Sequence, residues 1–348
     1  MSMSCFKDSK IASSRSVAPR KRYFSVWLWG IVVVVCLNLA GCSPGKSLLS
    51  LRHIARQTCQ MDSSSTSGYV FHPAPLRAGS AEEALLLNRF SPRSLRIAQA
   101  MGLTPILLQI VPLETDSASQ WKNPRYLALR QQITDQIQLA NFDVASAAAV
   151  LNCEAKRAAE AADLLNKREN TRVKKLTILA ITIGATTALL GGILQIHDIN
   201  PSSEYVDITG GLLEAGLGAS VFWLKPYKLP YQHPSNPLQA IWDKQATVAH
   251  FPPIVWYYLT HALTGNTSIA EELRASWLPL VAEKKKETHV ADDSDLGPTD
   301  RILFTAGGDY SAEKLLVRST MLNQLETQIR LMNTDLTILL NELAMGKR

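Results

Sequence analysis

From Arg125 to Ile183 the chain contains neither glycine nor proline, and that stretch limits the fold more than any other feature. Glycine ends helices through its backbone freedom, and proline through its missing N–H and its ring. Without either, helix follows wherever the apolar residues keep a helical period. Ile133, Ile137, Ala140, Val144, Ala147, Leu151, Glu154, Ala158, Ala161 and Leu165 alternate by four and three, a heptad seam with one polar interruption at Glu154. Its alanines let a partner helix approach closely. The spacing predicts a long helix from about Pro124 that runs straight into the next apolar segment.

A second seam lies near the other end. After Ser311, a good N-cap residue, Leu315, Leu322, Ile329, Leu336 and Leu343 recur every seventh residue. Leu325, Met332 and Leu339 supply the second seam position, and Arg318 is its misfit. The two stripes are either core faces of a helical bundle, or they pair as an extended antiparallel coiled coil, or they pair between subunits.

Between the seams comes a Gly-rich apolar pair. Leu176 to Ile196 carries no charge and spans about 31 Å as helix, enough for a bilayer. An acidic turn with Asp198, Pro201, Glu204 and Asp207 follows, and then Ile208 to Leu224, whose single ionisable residue is Glu214. Small residues recur at four-residue spacing in both segments: Gly184, Ala188 and Gly192, then Gly211, Ala215 and Ala219. Such faces let helix backbones pack closely in lipid. The pair is expected to form a helical hairpin, with Glu214 turned toward a partner helix or a wet cavity. Possible transmembrane segments are 176–196 and 208–224. The flanking charges oppose insertion from outside the cytoplasm. Lys167, Arg168, Arg172, Lys174 and Lys175 precede the hairpin and Lys225 and Lys228 follow it, which inverts the positive-inside preference. A hairpin packed inside an oligomer and insertion into the outer membrane after export are the other arrangements. The fold class expected is mainly α: an elongated long helix, a Gly-rich apolar helical hairpin and a C-terminal heptad helix.

Residues 1–41 read as an address. Arg20, Lys21 and Arg22 precede an uncharged run, Phe24 to Gly41, which closes on small residues. The ending Leu39-Ala40-Gly41-Cys42 resembles the lipobox of bacterial lipoprotein signal peptides. That resemblance implies a diacylglyceryl thioether on Cys42, cleavage before it, and acylation of the new amino group by a fatty acid such as palmitate. Ser43 at the following position implies export to the outer membrane rather than inner-membrane retention. The alternative is an uncleaved anchor helix, since eighteen apolar residues span about 27 Å. Both tether the chain to a membrane with its bulk in the periplasm.

Removing that leader changes two inferences. The formal charge is +6, but the first 41 residues hold six Lys or Arg and one Asp, so the mature chain is left at +1. It has no electrostatic footprint for phosphate backbones, and nucleic acid is excluded as a general partner. Cys5 and Cys36 leave with the leader and Cys42 carries lipid, so only Cys59 and Cys153 remain. In an oxidising compartment they pair as one disulfide, or they stay as two buried thiols.

The remaining segments divide by composition. Residues 42–122 are a Ser-rich tether followed by short helices, one opened by the capping box Ser80-Ala81-Glu82-Glu83 and one stopped by Gly102. The run Pro105 to Pro112 is open to helix or strand. Residues 123–225 hold the long helix and hairpin, 226–300 a Pro- and aromatic-rich region with a charged linker, and 301–348 the heptad helix. In the aromatic region His250 and Trp256 either line a ligand groove or pack on the bundle.

No catalytic constellation is present. The seven histidines are scattered without an HExxH arrangement, and there is no Walker loop, GxSxG or GxGxxG. No metal ligand set, cofactor or enzymatic activity is expected. The sequence supports a membrane-anchored envelope lipoprotein with a structural or assembly role, meeting a membrane and a second copy or an envelope protein. The alternative is a transport or pore component that uses the Gly-rich hairpin.

Overall fold

The computed structural model describes residues 53, 59, 72–114, 122–196, 200–245, 251–262, 267–281 and 298–345, with the backbone alone given for 190–196, 200–208, 217 and 298–299. The leader and Cys42 lie outside this set. The fold is mainly α. Three short helices come first, α1 (Ala81–Leu87), α2 (Pro92–Ala100) and α3 (Thr104–Ile110). Their ends follow the local chemistry. Ser80 accepts from the Glu83 N–H at 3.1 Å, while Glu83 accepts from the Gly79 N–H at 2.6 Å. Ser91 caps α2. Gly102 turns the chain at φ +70, and a Cβ there would strike the His72 carbonyl. The run between Pro105 and Pro112 is helical: Leu107 and Ile110 are both fully buried on one face of α3.

The long helix α4 spans Pro124–Ile196, 73 residues. Asn123 caps it through its side-chain oxygen, which accepts from the N–H groups of Arg125 and Tyr126. After the hairpin partner α5 (Asn200–Ser220) and a 3-10 turn, strand β1 (Leu229–Gln232) leads to α6 (Pro237–Trp242), α7 (Pro253–Thr260) and α8 (Ile269–Val281). A short α9 (Pro298–Arg301) precedes strand β2 (Gly307–Tyr310) and the C-terminal helix α10 (Ala312–Met345). The acidic residues placed in a turn by the sequence pattern, Glu204 and Asp207, instead lie within α5. Pro201 starts that helix at no cost in hydrogen bonds.

The two heptad stripes pack on each other within one chain. Every apolar member of both is buried to 3% exposure or less, from Ile133 to Leu165 on α4 and from Leu315 to Leu343 on α10. The helices run antiparallel: Asn152 donates to Glu326, while Glu154 acts on Arg318, lower in α10. Helices α2 and α7 cover the pair, and Tyr258 of α7 donates to buried Asp335 of α10 at 2.8 Å. At the lower end Arg89 forks onto Glu114 at 2.6 and 3.2 Å and reaches the Glu342 carbonyl.

The strands form one antiparallel pair, Leu229 opposite Tyr310 and Gln232 opposite Gly307. This pair, unseen in the sequence pattern, joins the 226–300 region to the C-terminal helix across the boundary at 300/301. Residues Ser50–Arg348 make one compact unit.

Candidate functional site

The chain has two notable polar places and one apolar surface, and α4 connects them. The first place is where the seams are interrupted. Glu154 and Arg318, the two misfits, lie in the same buried neighbourhood at 6% and 0% exposure. Between them stands Arg157, whose guanidinium pairs with Glu154 at 2.6 Å, donates to the Gln232 carbonyl at 3.1 Å and covers the Tyr231 ring at 4.4 Å. Glu154 also accepts from the Cys59 N–H at 3.3 Å. Cys59 and Cys153 are joined in a disulfide with Cα atoms 5.9 Å apart. One turn of α4 therefore holds the chain at Cys59 by a covalent bond, and β1 by the hydrogen bond of Arg157 to the Gln232 carbonyl and its cover over Tyr231.

Arg318 donates to the Asn236 side-chain oxygen at 3.1 Å and to the Leu303 carbonyl. Its charge is paid for in part by Glu154, and burial lowers its pKa. Tyr310 donates to the Ile302 carbonyl at 2.6 Å, which leaves its oxygen to accept from His233 Nε2 at 2.7 Å. His233 is thus the Nε2–H tautomer. Burial, with the charges of Arg318 and Arg157, holds it down to about 2, so it stays neutral. Burial pushes Tyr310 up to about 12. These groups neither gain nor lose protons near neutrality and serve as a fixed polar joint. Sequence reading marked Glu154 and Arg318 as misfits; it did not place His233, Tyr231 or Tyr310 beside them. The alternation of burial in Leu229–Gln232 is the signal that was available, over only four residues.

The second polar place is a cleft of about 370 Å³ between α6, α7 and α8, with Trp256, Lys244, His261, Glu271 and Arg274 in its walls. Lys244 sits at φ +50, which a non-glycine residue seldom adopts. The wall groups are engaged by neighbouring side chains and backbone. His261 stacks on Tyr257 at 3.7 Å, Arg274 lies over Trp242, and Glu271 caps α8 through Ser268, which lowers its pKa. Trp256 borders this cleft; His250 lies outside the described residues. Among the described residues no cluster of His, Cys, Asp and Glu could hold a metal ion.

The apolar surface begins where α4 leaves the body. Past Leu165 only Ala180 of its described side chains is buried. Helix α5 folds back along it, and the two touch through glycine. A Cβ at Gly184 would overlap the Glu214 carboxylate, and a Cβ at Gly210 would overlap the Thr187 side chain. Gly184 and Glu214 of the expected packing set are therefore brought together. The rest of that set differs by register. Gly211 faces open space, Ala188 and Ala215 are exposed, Ala219 is half-buried, and Gly192 lies among residues given by backbone alone. The seam runs through Gly210 rather than Gly211, because Gly210 stands one turn before Glu214 on the same face of α5 and meets Thr187 of α4.

The outer faces stay apolar. Ile178, Ile181, Leu189, Leu212 and Leu213 are all more than half exposed, and Phe222 and Trp223 reach 89% and 80%. The Thr182 and Thr186 hydroxyls donate back to the carbonyls four residues earlier, so the outer surface of α4 offers few polar groups. At the base the returning chain is gripped: the Tyr227 N–H donates to Glu169 at 2.8 Å, and Arg168 and Arg172 cover the Tyr227 ring. Among the described residues no helix is long and apolar enough to cross a membrane. The expected segments 176–196 and 208–224 extend into residues whose side chains are not described.

Comparison with protein-family models, with curated proteins and with solved structures finds no match to this chain.

Proposed function

We propose that this chain is a lipid-tethered cell-envelope protein with a structural or assembly role, its mature part in the periplasm and the outer membrane its favoured site. One observation carries the reading: the division of α4. Its first part belongs to a closed core with α10, and its second part is held out with apolar side chains uncovered. A contiguous apolar surface of that kind on a folded chain is an interaction site. The disulfide and the Tyr227–Glu169 hydrogen bond support the reading, since they fix the tether and the base of the projecting hairpin to the same helix. The lipobox supplies the anchor.

Two alterations of the full-length protein test this. Cys42→Ser should abolish incorporation of labelled palmitate and leave the chain at the size of the uncleaved precursor on a gel. Replacing residues 176–224 by a short Gly-Ser turn should leave the protein tethered, with the body melting as before, and should remove its complexes from a native gel. Complexes that survive the hairpin deletion would refute the assembly role. A wild-type chain that takes up no palmitate, or a Cys42→Ser chain processed to the wild-type size, would refute the lipid anchor.

A further inference from the structure

We infer that one edge of the buried Arg318 guanidinium, at the joint where the two heptad misfits meet, is a binding site for a small monovalent anion of the size of chloride. The inference goes beyond the assembly reading and does not rest on it.

The site is built by what holds Arg318. Asn236 donates to the carbonyls of Leu303 and Thr305, both at 2.8 Å, and this turns its side-chain oxygen to Arg318. The guanidinium bonds through Nη1 alone, to Asn236 and to the Leu303 carbonyl. Its Nε and Nη2 are buried and make no hydrogen bond. Those two nitrogens share one edge of the planar group, and their N–H bonds point the same way, as the fork that takes an anion side-on. The convergence of the two donors is thus covalent geometry. Tyr231 adds a third donor: its hydroxyl is buried without a hydrogen bond, and it feels the charge of Arg318. Tyr310 also lies near the guanidinium, but it meets neither Nε nor Nη2, and its hydroxyl already bonds Ile302 and His233. His233 Nδ1 is an acceptor in its tautomer and has no place at an anion.

Charge decides what sits at the fork. Glu154, Arg157 and Arg318 are 6%, 4% and 0% exposed, and the one carboxylate is already paired with Arg157 at 2.6 Å. Asp300, also buried, is paired with Lys314. Among the described residues the joint therefore sets two guanidiniums against one carboxylate, and one positive charge is left over. An unmatched ion away from water is strongly destabilising. Water would satisfy the donors and leave that charge standing, and a dianion would exceed it. A single halide at the fork supplies the missing charge and accepts from all three donors.

The test follows thermal unfolding of the full-length protein in non-ionic detergent, in sodium gluconate, chloride and bromide at equal ionic strength. The wild-type Tm should be higher in chloride and bromide, and the rise should follow mass action with halide concentration. Tyr231→Phe keeps the ring under Arg157 and should move the onset of the rise to about tenfold more chloride. Arg318→Met should abolish the halide dependence. The wild-type chain should also broaden the chloride NMR resonance, and added bromide should reverse this. One Tm in all three salts, without broadening, would leave only water at the fork and would overturn the proposal. So would a halide effect with the same onset in Tyr231→Phe, which would put the anion elsewhere.

Discussion

Helix α4 is one continuous element with two different lives. From Ile133 to Leu165 its seam is alanine-rich and buried against α10; from Leu176 onward the helix is more apolar, and of its described side chains only Ala180 is buried. The more hydrophobic half is thus the less covered one. Burial depends on what lies opposite, and hydrophobicity alone does not secure it. The body half has a partner stripe of matching period on α10. The hairpin half has only α5, which covers one face through Gly184 and Gly210 and leaves the others open.

The two halves should therefore respond differently to the same kinds of change. The largest effect is expected at their junction with the tether. The Cys59–Cys153 bond closes a separation of 94 residues, and Cys153→Ser should cost about 4 kcal/mol on the loop-entropy estimate, read from urea unfolding. Next comes a matched pair of truncations. Ile329→Ala in the body should cost about 3 kcal/mol, whereas Ile181→Ala in the hairpin should change the unfolding midpoint by less than about 0.5 kcal/mol. Equal losses would erase the distinction.

The body should also be the acid-sensitive half. An unfolded chain protonates His233 near pH 6.5, and the folded one does so only at about 2. The stability this contributes is complete above pH 6.5 and falls as pH drops, by about 1.4 kcal/mol per unit, or about 2.7 kcal/mol at pH 4.5. His233→Gln should remove that slope. The smallest global effect is expected from Gly210→Val. The added side chain meets the short, branched side chain of Thr187, which cannot swing away, so the hairpin should open and lose amide protection over 176–196 and 200–220, while the melting of the body stays put.

Much of this could be read in the sequence because it repeats. The stripes on α4 and α10 need only periodicity, and every apolar residue assigned to them is in the core. The capping box at Ser80 and the stop at Gly102 are equally local. What could not be read is what depends on pairing. Glu154 and Arg318 stood out as exceptions to their own helices, but that one Arg157 would serve both neighbourhoods requires knowing that α4 and α10 run antiparallel in one register. The strand pair escaped notice because four residues with a proline give little alternation. The hairpin seam was shifted by one residue because spacing finds small residues without saying which are covered. Gly210 and Gly211 are indistinguishable until Thr187 is placed.

The unbroken backbone of α4 has a mechanical consequence. At about 1.5 Å per residue its 73 residues make a rod of about 110 Å. Glycine and proline, the usual points of compliance, are missing from Arg125 to Ile183. A push or a twist applied at the base of the hairpin meets neither residue before it reaches Cys153 and the chain bonded there through Cys59. The shaft makes strain at the far end legible at that disulfide.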